Sequence, residues 1–166
     1  MNKTYTILAI ILFSICFGQS VEYGKYNIKL TNTESNELVK EMNGIKIYYS
    51  PTDFFWTVKI ENNSGENIQI DWDKSTFVID KRASGIVFND SSRLTANLPK
   101  GKETIPNGTI LTKKIYPKRN VEYMSPTLTK YEIKKFGKSD IDINLNFTKL
   151  QDEFEVNGKF EATLKK

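Results

Sequence analysis

Residues 54–80 read FFWTVKIENNSGENIQIDWDKSTFVID, and the fold turns on how this stretch is understood. It holds both tryptophans of the chain, Trp56 and Trp72, and two aspartates, Asp71 and Asp73, separated by one residue. Such a mixture is either a carboxylate site dressed in aromatics or the centre of a β-sandwich. Phe54, Trp56, Val58 and Ile60 fall on one face of an extended chain and Phe55, Thr57, Lys59 and Glu61 on the other, the period of two that a half-buried strand requires. Asn62, Asn63, Ser64 and Gly65 bring turn chemistry. Ile68, Ile70 and Trp72 then resume the alternation, so the segment predicts an antiparallel hairpin with both indoles inward and Phe55 outward. Inward positions are even through Trp72 and odd from Phe77, which predicts a bulge or a crossing between sheets at Asp73 to Ser75.

The same pattern recurs along the chain. Val21 to Leu30, Ile45 to Tyr49, Phe77 to Ile79, Ile86 to Phe88, Ile141 to Phe147 and Phe160 to Leu164 alternate in the same way. Short strands with turn residues between them predict an all-β, immunoglobulin-like antiparallel β-sandwich. Residues 33–42 carry the one weak helical pattern. Residues 91–123 form a long irregular excursion, broken by Pro99, Pro106 and Pro117, with one edge strand near Ile110 to Tyr116.

At the N-terminus, Lys3 precedes an uncharged apolar run from Ile7 to Phe17, followed by Gly18, Gln19 and Ser20. That is the plan of a secretory signal peptide, and the run is too short for a membrane span of about 20 residues. The expected division is a signal peptide over 1–19 and a single β-sandwich domain over 20–166. Small residues at Cys16 and Gly18 suit ordinary cleavage near Gln19, whereas lipidation at Cys16, the one route expected to bring the protein to a membrane, would follow Ile15 where that processing wants a small side chain. Once the signal is removed no thiol remains, so stability rests on an apolar core rather than on disulfides.

The chain has no histidine. Ser-His-Asp and Cys-His sites and the usual zinc constellations are thereby excluded, and no cofactor is expected. Charge is uneven: between Pro99 and Ser139 there are ten basic side chains against three acidic ones, in a chain whose net charge is +4.

The order Trp56-x-Val58-x-Ile60-x-Asn62-Asn63-Ser64, then Ile68-x-Ile70, then Trp72-Asp73-Lys74-Ser75-Thr76-Phe77, then Val87-Phe88 resembles a group of small exported bacterial β-sandwich proteins. Many of these are lipoproteins, and their function is unassigned. The resemblance implies a sandwich fold and an envelope location, periplasmic or on the outer surface, and it supplies no catalytic residues. The chain departs from the lipoprotein members at Ile15.

Asp71 and Asp73 are the candidates for chemistry. On one strand their side chains would stand about 6 to 7 Å apart, a spacing that overlaps glycoside hydrolases. The same residues match the start of a calcium loop, but Thr76 and Arg82 stand where glycine and a bidentate glutamate are needed. Capping of a strand bend is the simpler role. The candidate binding residues are Lys113, Lys114, Lys118, Arg119, Lys134, Lys135, Phe136 and Lys138, a basic series interleaved with aromatics. Such a series suits an anionic envelope component or an acidic protein. Nucleic acid is a poor partner for an exported chain with no recognised motif. The function expected first is therefore non-catalytic binding in the envelope; a periplasmic immunity-type protein that neutralises a secreted toxin comes second, and a carboxylate-dependent glycoside hydrolase last.

Overall fold

Each alternating strand has one face to bury, and the computed structural model, which describes residues 20–33 and 37–166, shows what covers it. The signal segment with Cys16 lies outside the described residues. Eleven strands follow in order: β1 (Val21–Tyr23), β2 (Tyr26–Leu30), β3 (Val39–Met42), β4 (Ile45–Pro51), β5 (Trp56–Asn62), β6 (Ile68–Ile79), β7 (Arg82–Phe88), β8 (Lys102–Ile105), β9 (Ile110–Pro117), β10 (Ser139–Lys149) and β11 (Asp152–Leu164). A 3-10 turn (Lys118–Asn120) and a helix, α1 (Lys130–Phe136), lie between β9 and β10.

All pairings are antiparallel, and they form two layers. One runs β1-β2-β11-β10-β6, with β8 and the first part of β7 sharing the far edge of β6. The other runs β7-β9-β5-β4-β3. Strand β7 joins them, because Arg82 to Gly85 pair with β6 while Ile86 to Phe88 pair with β9. The chain is thus an antiparallel sheet curled over on itself, an all-β fold of sandwich-like character. Trp56 of β5 meets Phe160 of β11 and Phe77 of β6 edge-on, at centroid distances of 4.7 and 6.1 Å. Tyr49 of β4 reaches the same Phe160 at 4.9 Å. These rings come from opposite layers, so they are the filling between the sheets. Both indoles are buried, as the alternation requires.

The predicted bulge is present. Along β10, Asn144 pairs with Thr76 and Asn146 with Asp71, so Leu145 alone faces Trp72 to Ser75. Ser75 Oγ donates to Asp71 O at 2.7 Å and accepts from Asn146 N at 3.1 Å, which seals the irregularity. On its other edge β6 pairs with β8 before the bulge and with β7 after it.

Four expectations need correction. Strands β5 and β6 are not a hairpin: β5 pairs with β4 and β9, β6 with β10, β7 and β8, and the link between them crosses from one layer to the other. Alternation assigns a face and says nothing about a partner. The crossing is held by the buried Asn62, whose Nδ2 donates to Glu66 O and Ile105 O, both at 2.8 Å, while its Oδ1 accepts from Ser64 N and Oγ. Second, β9 is no edge strand, because it lies between β5 and β7; Pro117 is its last residue, so a missing N–H interrupts nothing inside it. The irregular part of the excursion therefore shrinks to the connections around β8 and beyond β9. Third, Val39 to Met42 form strand β3 beside β4 rather than a helix, and residues 34–36 lie outside the description. Fourth, Phe54 is exposed although it is in phase with Trp56, since β5 begins only at Trp56 and parity has no meaning before it.

Candidate interaction surface

The two aspartates are built into the bulge. Asp71 Oδ1 accepts from the backbone N–H groups of Asp73 and Lys74, both at 3.2 Å. Asp73 reaches outward instead: its Oδ1 accepts from Lys100 N at 2.8 Å and its Oδ2 from Gly101 N at 2.9 Å. These backbone donors, Lys100 first, hold the Asp73 carboxyl below its usual range. Asp71 thus caps free N–H groups within the bulge, and Asp73 those at the turn into β8. Beside them, Trp72 Nε1 donates to Glu103 Oε2 at 3.2 Å and Lys113 Nζ sits 3.0 Å from Glu103 Oε1, closing the side of the sandwich between β8 and β9. Among the described residues no cluster of three or more histidine, cysteine, aspartate or glutamate side chains is placed to hold a metal ion.

The seven cations of the basic series separate into two groups. Lys113 is bound to Glu103 and lies 5.2 Å from the Phe88 ring centroid. Arg119 donates to Arg82 O at 2.7 Å and Ile79 O at 3.4 Å, clamping the β6–β7 turn; burial first, and then the Arg82 guanidinium, lower its pKa. Lys138 stands between Glu161 at 2.9 Å and Asp140 at 3.0 Å, and these bonds raise its pKa. These three are structural. Among the described residues Lys114, Lys118, Lys134 and Lys135 meet no carboxylate. Lys114 lies 5.1 Å over the Phe55 ring, and Lys135 is at the same distance from its neighbour Phe136.

Local packing brings the free cations to one end of the sandwich. Thr127 N donates to Asp53 O at 2.6 Å, tying the segment after β9 to the β4–β5 loop. The Arg93 guanidinium donates to Glu122 O, tying it to the loop after β7. A small second core of Val87, Ala96, Tyr116 and Val121, with Phe55 packed against it, lies beneath. Helix α1 is anchored at the same end by Ile133, which enters the main core. Thr129 Oγ1 donates to Glu132 Oε2 at 2.8 Å at its start, and Gly137, at φ 83°, ends it.

The resulting pole is apolar as well as basic. Phe54, Leu94, Tyr123, Met124, Tyr131 and Phe136 are all exposed there, from 49% for Phe54 to 89% for Leu94. Phe54, Phe55, Asn89, Tyr116 and Met124 line a cavity of about 280 Å³. Arg93, Lys118, Arg119 and Glu122 line a second, with Ala96 and Val121. The sequence marks Phe136 within the basic series, but it gives no sign of Phe54, Leu94 and Met124, whose loops carry no periodic signal. No family model, curated protein or solved structure matches the chain. No helix among the described residues is long and apolar enough to cross a membrane.

Proposed function

We propose that the protein is a non-catalytic binding domain of the cell envelope that engages an anionic partner through the pole formed by the β4–β5 loop, the loop after β7, the segment after β9 and α1. The observation that carries this reading is the division of the basic series: three cations are consumed by carboxylates or carbonyls, and the free ones gather beside exposed aromatics. Unpaired lysines interspersed with solvent-exposed rings suit charge steering followed by apolar contact. The lack of histidine and the use of Asp71 and Asp73 as backbone caps support a role without chemistry. The N-terminal pattern supports export.

The test is retention of the protein by native envelope material, comparing the wild type with the Lys134→Glu/Lys135→Glu double variant. Wild-type retention should fall as salt rises from about 50 to about 300 mM, and the variant should bind at least tenfold less with a flatter salt response. Equal retention of the two proteins would remove this pole as the contact.

A further inference from the structure

We propose that the partner of this pole is an anionic membrane surface, with Tyr131 of α1 and Tyr123 and Met124 of the preceding segment entering the interface between headgroups and acyl chains. This rests on the reading of the pole as a binding surface and commits that surface to a lipid partner. The first reason is shape. Tyr123 and Tyr131 are each 75% exposed, one in the turn segment after β9 and the other on the side of α1 opposite Ile133. A folded protein partner needs a continuous, complementary patch around such anchors, whereas a fluid interface accepts separate apolar side chains wherever they protrude.

The helix supplies the second reason. At about 100° per residue, and with Ile133 turned into the core, Tyr131 and Lys135 point away from the sandwich, while Lys130 and Lys134 lie together on one flank. Their ammonium groups meet no carboxylate among the described residues. Aromatic rings at headgroup depth with lysines reaching to the phosphates beside them are the arrangement that an anionic bilayer surface selects. The acidic groups beside α1 are Glu132, which accepts from the Thr129 hydroxyl, and Asp80 and Asp140, which line a cavity with Phe136 and are matched there by Lys81, Arg82 and Lys138.

Geometry also provides an internal control. Strand β10 begins just after α1 and ends at Lys149, next to the exposed Leu150. Eleven extended residues place Leu150 about 35 Å from the helix end.

The experiment uses the exported form, residues 20–166, which holds no cysteine of its own, carrying one environment-sensitive fluorophore on Tyr131→Cys or on Leu150→Cys. Protein-free vesicles of phosphatidylglycerol and phosphatidylcholine, or of phosphatidylcholine alone, are added. The label at 131 should shift to the blue only with the anionic vesicles, and the label at 150 should not respond. Neutralising two lysines (Lys134→Gln/Lys135→Gln) should weaken partitioning about 30-fold. Equal shifts at 131 and 150, or no shift at 131, would overturn the proposal. Retention by native envelope that is lost in the Lys134→Glu/Lys135→Glu variant, with no response to lipid alone, would sink the lipid assignment and leave the binding pole standing, with an acidic protein as its partner.

Discussion

Asp73 is an exposed residue whose importance is structural, since its two oxygens hold the Lys100 and Gly101 N–H groups at the turn into β8. Replacing it with alanine should cost about 1 kcal/mol at neutral pH, measured by urea unfolding. Because those donors lower the native carboxyl's pKa, the folded state binds its proton less tightly than the unfolded chain does. The contribution is therefore present above the ordinary carboxylate value near 3.9 and is lost as pH falls below it, so the gap between variant and wild type should narrow from about pH 7 to about pH 3. A constant gap would mean that the carboxylate's charge is irrelevant there. Tyr49 presents the opposite case. Its hydroxyl is buried with no partner among the described residues, and burial raises its pKa. Tyr49→Phe keeps the ring on Phe160 and removes a desolvated polar atom, so it should leave stability unchanged or raise it by about 1 kcal/mol. A clear loss of stability in the same urea assay would show that the hydroxyl is satisfied.

The crossing from β5 to β6 depends on Asn62, which supplies four hydrogen bonds from a fully buried position. Asn62→Ala leaves the Ile105 carbonyl and the Ser64 N–H without these partners and should cost about 2–4 kcal/mol. The exposed neighbour Asn63→Ala should stay within about 0.5 kcal/mol. A loss for Asn62→Ala as small as that for Asn63→Ala would mean that the crossing does not depend on this side chain. This is also where the sequence misled: Asn-Asn-Ser-Gly between alternating runs fits a hairpin turn and a crossing between layers equally well. What separates them is the long-range bond from Asn62 to Ile105, invisible to local pattern. Phe77 to Ile79 were legible because the inward parity shifts by one between Trp72 and Phe77, and that is how a bulge announces itself. Helix α1 was legible in principle through Thr129-x-x-Glu132 and Gly137, but seven residues with Ile133 as the one buried position give no apolar stripe. Strand β9 was demoted by its flanking prolines, although a proline affects only the pairing at its own position.

At the scale of the molecule, the basic series was visible as composition, but its division into tied and free cations depends on Glu103, Glu161, Asp140 and two carbonyls brought near by the topology. No local reading supplies those partners. The same topology makes the two layers one mechanical unit. β7 is shared between them, and Trp56 of one layer packs on Phe77 and Phe160 of the other, so neither sheet can be exposed without uncovering the other. Such a chain should unfold in one cooperative step. The two tryptophans make this testable, because Trp56 reports from β5 and Trp72 from β6. In Trp72→Phe the remaining Trp56 should give a urea midpoint that coincides with the far-ultraviolet circular-dichroism midpoint of the same protein, and in Trp56→Phe the remaining Trp72 should do likewise. The two variants will differ in stability, since Trp72→Phe also removes the indole's hydrogen bond to Glu103; what matters is agreement between probes within each protein. Separate fluorescence and dichroism midpoints in either variant would mean that one layer survives the loss of the other, and that the shared strand and the rings between the sheets do not couple them.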